Sequence, residues 1–151
     1  MQPIRLKEIF CVFDFNKESQ LALAYASTLA LHSAAHLHII YMTEQFAAFA
    51  GFMLAGVPTY HNIFFDCIND QWYSDVIQDA IKRVIPPNIS PVLHLSGTRV
   101  QNIVDVLGEA QADLCIIGIR SKTEWWKRLF SFPVTQSIMK VAPCPVVIIN
   151  S

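Results

Sequence analysis

The sequence predicts an α/β fold with an open, mainly parallel sheet that carries helices on both faces. Five short apolar runs alternate with four stretches of helical periodicity, in the order βαβαβαβαβ. The apolar runs are nearly continuous, as expected for strands whose two faces are both covered. Strands that alternate with helices are typical of parallel sheets with right-handed crossover connections.

The first half of the chain predicts two strands and two helices. Glu8–Asp14 is a short apolar run that ends on an acid, and Asn16–Ser19 offers caps for a helix. Residues at helical spacing then predict the first helix: Leu21, Tyr25, Ala26, Leu29 and Ala30. His36–Met42 is the second predicted strand. The second helix ends before Pro86, and its apolar positions are Ile68, Trp72, Val76, Ile77, Ala80, Ile81 and Val84.

The second half predicts three strands and two helices. Pro91–Ser96 is the third strand, and the turn and cap at Gly97 and Thr98 precede a third helix with Val100, Ile103, Val104, Leu107 and Ala110. Asp113–Gly118 is the fourth strand. The last helix carries Val134, Ile138 and Val141, and the final strand is Pro145–Ile149. Pro143 and Pro145 lie at the start of this last strand, which suits an edge position because proline cannot donate to the ladder.

Length and composition restrict the class of protein. The 151 residues correspond to about one domain, since domains average roughly 150 residues, so we expect a single domain over residues 1–151. Hydrophobic residues make up 53% of the chain and charged residues 15%, which excludes intrinsic disorder. The net charge of −1 gives no general attraction to nucleic acid or to anionic membranes, so we expect neither as a partner.

Charge is distributed unevenly along the chain. From Ser19 to Phe65 the only charged side chain is Glu44, with histidine counted as neutral. We interpret residues 19–44 as a buried helix and strand. The remainder, in the long connection after the second strand, is predicted to be an apolar lid over the cleft or a partner surface, with Phe46, Phe49 and Phe52 as its candidate aromatic residues.

Neither a membrane span nor a secretory signal is predicted. The most apolar segment, Phe46 to Val57, is shorter than the roughly 20 residues that cross a bilayer. The first ten residues show no apolar region followed by a small-residue cleavage site. We therefore expect a cytoplasmic protein.

No metal site or catalytic constellation is predicted. The four cysteines are widely spaced, which favours small buried hydrophobic residues in a reducing compartment over zinc or redox motifs. His36 and His38 share one face of the second strand and His94 lies on the third. A metal cluster is possible there, but histidines that satisfy nearby backbone groups are favoured. Four acids on the second helix are expected to form a solvated face: Asp66, Asp70, Asp75 and Asp79.

Several blocks of the sequence resemble the universal stress protein family over essentially the whole chain. They are Ile9–Asp14, Leu37–Met42, Ala112–Gly118, Lys127–Leu129 and Ala142–Val147. The resemblance implies a strand order of 3-2-1-4-5, as in adenine nucleotide alpha hydrolase-like folds. It also implies a homodimer in which the last strands pair across a two-fold axis, through Val146, Val147, Ile148 and Ile149. One branch of the family binds ATP in the cleft beyond the strands, whereas a second branch does not.

The loop after the fourth strand decides between these branches. The ATP-binding branch has Gly-x-x-Gly, nine residues, and then Gly followed by Ser or Thr, because glycines let the backbone approach phosphates. This chain keeps Gly118, but Ser121 stands at the second glycine position. The later glycine falls on Ser131 or, in an alignment one residue longer, on Phe132 followed by Pro133. We therefore expect no tight ATP binding in the family mode and no cofactor.

The alternative is a degraded site for an adenine nucleotide such as ATP or AMP, with at most slow hydrolysis. The same loop carries four cations, which include Arg120, Lys127 and Arg128, against one acid. The weak candidates for such a site are Asp14, Met42, Gly97, Gly118, Arg120, Ser121, Lys127, Arg128 and Ser131. The adjacent Trp125 and Trp126 are predicted to form a lid, a partner anchor or a stacking surface.

Together these observations predict a cytoplasmic stress-response homodimer. We expect it to act by binding a small ligand or a protein partner rather than as an enzyme. Because function lies in sites and not in architecture, the resemblance does not identify that ligand or partner.

Overall fold

The computed structural model describes residues 3–14, 17–42, 70–96, 100–119 and 133–150. Strands and helices alternate through these ranges as predicted. In chain order they are β1 (Glu8–Phe13), α1 (Lys17–Ser33), β2 (His36–Met42), α2 (Asp70–Lys82), β3 (Val92–Ser96), α3 (Val100–Glu109), β4 (Leu114–Ile119), α4 (Pro133–Val141) and β5 (Val146–Asn150). The observed bounds of the five strands lie within one residue of the predicted ones.

The five strands form one sheet in the order β3-β2-β1-β4-β5. All four strand pairings are parallel, and Phe10 of β1 lies opposite His38 of β2 and Cys115 of β4. The predicted fold class and strand order are therefore confirmed. β5 lies at one edge of the sheet, as its flanking prolines predicted, and β3 lies at the other.

Helices cover both faces of the sheet and form two cores. Because successive side chains of a strand point to opposite faces, β1 contributes to both cores. Ile9, Cys11 and Phe13 pack in the core beneath α1 and α2. Phe10 and Val12 pack in the core beneath α3 and α4.

The buried stripe of α1 differs from the predicted one. Apart from Glu18 and Leu23, its buried positions are small residues: Ser19, Ala22, Ala26, Ser27 and Ala30. Leu21, Tyr25 and Leu29, which share helical spacing with Ala26 and Ala30 in the sequence, are exposed, and Tyr25 is 57% exposed. The interpretation of residues 19–44 as a buried helix and strand is therefore wrong for this exposed stripe of α1. Small side chains let the helix backbone approach the sheet, while the larger ones remain at its side.

Two helices end in the same way and lead directly into strands. Ala34 and Gln111 have φ angles of 52° and 51°, in the left-handed region. The amides of Ala35 and Ala112 then donate to carbonyls five residues earlier, at 3.0 and 2.9 Å, as in a Schellman cap. The chain reverses within two residues, so β2 and β4 start beside the beginning of β1.

The described cysteines and acids have no metal-binding arrangement. Cys11, Cys115 and Cys144 are free thiols, and burial raises the pKa of Cys115 to about 12. Cys67 and Asp66 lie outside the described residues. Asp75 and Asp79 of α2 are exposed, and Asp79 pairs with Arg83 at 2.6 Å. Across the described ranges, no cluster of three or more His, Cys, Asp or Glu side chains is arranged to hold a metal ion.

None of the helices in the described ranges combines the length and the apolar character that a membrane-spanning helix requires.

Candidate functional site

The candidate site lies at the carboxyl edge of the sheet, between β1 and β4. The chain runs from β1 to β2 on one side of β1, and β4 pairs with its other side, so the strand order reverses there. Ligands of open α/β sheets bind at such switch points. The structure brings Asp14, directly after β1, to the same edge as Gly118, the next-to-last residue of β4. Met42 ends β2 at this edge.

Gly118 packs against the first turn of α1. A Cβ atom built on it would lie 2.2 Å from the carbonyl oxygen of Glu18 and 2.6 Å from the amide nitrogen of Ser19. Both are backbone atoms, which cannot move aside as the end of a side chain can. The absence of a side chain at Gly118 is therefore required by helix–strand packing, with or without a ligand.

The first turn of α1 also contacts the end of β1. The amide of Asp14 donates to the hydroxyl oxygen of Ser19 at 3.4 Å, and Ser19 and Glu18 are both buried. Sequence reasoning took Ser19 only as a helix cap and did not identify Glu18 as a site residue. The available signal was its place in the first turn after β1, where the helix dipole favours an acid.

The described part of this edge carries acids next to the backbone packing. Asp14 is half-buried, Glu18 is buried, and the neighbouring Lys17 is exposed. The cations predicted to hold an anion, Arg120, Lys127 and Arg128, lie outside the described residues.

Several other predicted site residues also lie outside the described residues. They are Gly97, Ser121, Ser131, Phe46, Phe49, Phe52, Trp125 and Trp126. The predicted cleft contacts and the predicted lid or partner surface stay predictions.

The predicted dimer strand borders an apolar groove. We define the α1–β5 groove by Tyr25, Thr28, Leu29 and His32 of α1, Leu114 and Ile116 of β4, and Val147 and Ile149 of β5. β5 is apolar from Val146 to Ile149, and Val147 within it is 41% exposed. The exposed stripe of α1 and the edge strand therefore form one continuous apolar surface.

The three strand histidines, His36, His38 and His94, lie toward the opposite, amino end of the sheet and contact side chains. Nε2 of His38 lies 2.6 Å from Oε2 of Glu8, and Nδ1 of His38 lies 2.8 Å from Nε2 of His94. His36 contacts the other oxygen of Glu8 at 2.9 Å. The expectation that these histidines satisfy backbone groups is therefore wrong. Sequence reasoning missed Glu8, because only the β1–β2 pairing brings it to these rings.

These features place the protein in the class of parallel α/β proteins with an adenine nucleotide alpha hydrolase-like fold, whose candidate site is the switch point beside β1. The family model described as the universal stress protein family matches residues 5–150. The chain belongs to this family, which confirms the resemblance seen in the sequence. None of the curated proteins matches the chain.

Solved structures show the same fold at low sequence identity. A protein of the universal stress protein family from Burkholderia pseudomallei is 19% identical with a TM-score of 0.65, over 99% of this chain and 100% of that chain. A universal stress protein in complex with cAMP is 15% identical with a TM-score of 0.60, over 97% and 98%. The universal stress protein from Archaeoglobus fulgidus in complex with dAMP is 16% identical with a TM-score of 0.55, over 95% and 97%.

Proposed function

We propose that this protein is a cytoplasmic stress-response protein that acts by binding a ligand or a protein partner, and that it is not an enzyme. In this proposal it does not bind ATP tightly in the manner of the glycine motif. The observation that carries the proposal is the contact between Gly118 and the backbone of Glu18 and Ser19. That contact explains the one glycine that the chain keeps without any need for a phosphate.

The rest of the motif supports the same conclusion. Phosphate binding at a glycine-rich loop depends on backbone N–H groups that approach the ligand closely. Ser121 replaces one glycine, and Ser131 or Phe132 replaces the other. If the second alignment holds, Pro133 also removes an N–H donor, since proline has none.

A second candidate function is an adenine-nucleotide sensor with at most slow hydrolysis. Two solved relatives with this fold are described in complex with cAMP and with dAMP. In this chain Arg120, Lys127 and Arg128 would supply the charge that binds the phosphate, in place of backbone donors. AMP or another monophosphate suits such a site better than ATP, because fewer charges need to be neutralised.

Titration calorimetry with Mg-ATP, AMP and cAMP tests the two candidates. We expect no heat of binding with Mg-ATP up to millimolar concentration, and no nucleotide released from the purified protein after denaturation. Micromolar binding of Mg-ATP, or co-purified nucleotide, contradicts the proposal. In that case the double substitution Lys127→Ala and Arg128→Ala should weaken binding, and the loss should be larger at low salt because screening reduces such contacts.

We also propose that the protein is a single-domain homodimer that pairs through β5. Support comes from the edge position of β5 and from the α1–β5 groove beside it, which exposes apolar side chains of α1 and β5. An exposed apolar patch beside an open strand edge is an unfavourable surface in an isolated protomer. A second copy of the chain covers both features at once.

A further inference from the structure

Three side chains form a continuous hydrogen-bonded chain across β1, β2 and β3, at the end of the sheet opposite the candidate site. Oε2 of Glu8 lies 2.6 Å from Nε2 of His38. Nδ1 of the same ring lies 2.8 Å from Nε2 of His94. We call Glu8, His38 and His94 the carboxylate–imidazole chain. Neither the family fold nor the proposed function uses it.

Neighbouring groups hold the carboxylate–imidazole chain in its geometry. The Phe10 ring stacks on the His38 ring with centroids 4.2 Å apart and an interplanar angle of 16°. The His38 side chain is only 10% exposed. The amide of Glu8 donates to the carboxylate of Asp113 at 2.9 Å, which holds the start of β1 against the residue before β4. The three polar groups are thus positioned by ring stacking, burial and hydrogen bonding within the sheet.

The two hydrogen bonds limit how many protons the carboxylate–imidazole chain can hold. One hydrogen must lie between Nδ1 of His38 and Nε2 of His94, because two lone pairs or two N–H groups facing each other repel. Burial raises the pKa of Glu8, but hydrogen bonds from His36 and His38 outweigh it and leave that pKa below its ordinary value. The carboxylate of Glu8 is therefore ionised at neutral pH and accepts the hydrogen on Nε2 of His38.

With Glu8 ionised, three protonation states satisfy both contacts. The state with the added proton on His94 is disfavoured, because burial lowers the pKa of His94, which leaves two. In the first, both rings are neutral, His38 donates from Nε2 to Glu8, and His94 donates from Nε2 to Nδ1 of His38. In the second, one added proton makes His38 an imidazolium that donates to Glu8 and to Nε2 of His94. The hydrogen of His94 then lies on Nδ1. These two states differ by one proton, so the summed charge of Glu8, His38 and His94 changes by one.

We propose that Glu8, His38 and His94 titrate as one unit that binds a single proton and thereby switches Nδ1 of His94 from an acceptor to a donor. The imidazolium forms on His38, between the Glu8 carboxylate and the Phe10 ring, both of which favour a cation. Burial lowers the pKa of His94, and a positive His38 lowers it further, which keeps His94 neutral in both states.

Among the described residues, the titratable groups near the carboxylate–imidazole chain include the thiol of Cys115 on β4, which packs in the same core as Phe10 and whose pKa burial raises to about 12. β1 contributes Glu8 itself, and β2 contributes His36, which contacts Glu8 but is 77% exposed. Asp113, before β4, accepts hydrogen bonds from the amides of Lys7 and Glu8 and does not contact the rings. Helix α3 packs apolar residues on this face, while its Asp105 and Glu109 are exposed. Among the described residues, Glu8 is therefore the carboxylate that sets the charge of His38.

Long-range ¹H–¹⁵N NMR of the full chain during a pH titration tests this proposal, since it distinguishes Nδ1–H, Nε2–H and doubly protonated rings. We expect His38 and His94 to change at one common midpoint. Below it, His38 carries both ring protons and His94 becomes the neutral Nδ1–H form. Separate midpoints, a doubly protonated His94, or an unchanged His94 tautomer overturn the proposal. The unmodified protein alone gives this answer, whether or not any variant folds.

Two variants test the part played by Glu8. Glu8→Gln keeps a hydrogen-bond acceptor without the charge, so we expect the proton affinity of the unit to fall by about one to two orders of magnitude. His36→Gln is the matched control, because His36 contacts the carboxylate of Glu8 but does not belong to the carboxylate–imidazole chain. It should keep the common midpoint and the tautomer switch. An unchanged midpoint in Glu8→Gln, or separate midpoints in His36→Gln, contradicts the assignment of Glu8.

Discussion

At Gly118 the end of β4 and the first turn of α1 approach so closely that no side chain fits between them. A methyl group there would meet the carbonyl oxygen of Glu18 at 2.2 Å. We expect Gly118→Ala to lower the free energy of unfolding by about 1–3 kcal/mol, as for an overpacked core position. Chemical unfolding monitored by circular dichroism measures this loss.

Gly108 provides the matched control for this substitution. It lies in α3, and a Cβ built on it has nothing within 4 Å. Because alanine favours a helix over glycine by roughly 0.5–1 kcal/mol, Gly108→Ala should stabilise the protein. If both variants change stability in the same direction, the contact with α1 is not what requires Gly118.

Gly118 also shows which features of the site the sequence can reveal and which it cannot. From the family resemblance, Gly118 is the retained glycine of a phosphate loop. A glycine that lets a phosphate approach and a glycine that lets a helix approach look identical in sequence, because each role requires only that the residue has no side chain. The distinction requires the position of α1, which no local pattern near Gly118 contains.

The element whose prediction needed correction is α1. Its limits and helical character follow from the caps and the spacing of apolar residues, but two apolar stripes run side by side along it. Periodicity predicts that one stripe faces the core without saying which. The stripe with Ala22, Ala26 and Ala30 is buried, whereas that with Tyr25 and Leu29 is exposed. Close approach to the sheet favours the smaller side chains.

The end of α1 offers a test at the level of the element. Ala34 has a φ of 52°, which costs an L-residue with a Cβ about 1–2 kcal/mol. Glycine avoids that cost but loses more entropy on folding, so Ala34→Gly should raise the free energy of unfolding by about 0.5–1 kcal/mol. Differential scanning calorimetry should show a higher Tm.

The same substitution inside the helix should have the opposite sign. Ala24 lies in the middle of α1, where helical φ angles give glycine no advantage. Ala24→Gly should therefore destabilise the protein by roughly 0.5–1 kcal/mol. A loss of stability in Ala34→Gly as large as in Ala24→Gly contradicts the explanation based on the left-handed end of α1.

For the whole molecule, the alternation of strands and helices was enough to predict a parallel α/β sheet, and the family resemblance supplied the strand order. Strand register was not predictable from either. Register alone places Glu8 of β1 beside the rings of β2, and so creates the carboxylate–imidazole chain. Contacts between distant segments depend on such pairings, which is why the histidines were identified in the sequence but their partner was not.

The assembly of the whole molecule is tested by charge at the two edges of the sheet. Val147 of β5 is 41% exposed beside the α1–β5 groove, and Val92 of β3, at the other edge, is 47% exposed. Lysine is tolerated at an exposed edge strand, so both Val147→Lys and Val92→Lys should fold. In a dimer through β5, however, the lysine at 147 is buried without a partner, which costs several kcal/mol.

We therefore expect the unmodified protein and Val92→Lys to sediment as dimers, and Val147→Lys as a monomer. The dissociation constant of the Val147→Lys dimer should rise at least about a hundredfold, since each tenfold step corresponds to about 1.4 kcal/mol. Analytical ultracentrifugation over a range of concentrations measures it, with circular dichroism to confirm folding. A folded Val147→Lys protein that remains dimeric would place the interface away from β5, and loss of the dimer in Val92→Lys alone would place it at β3.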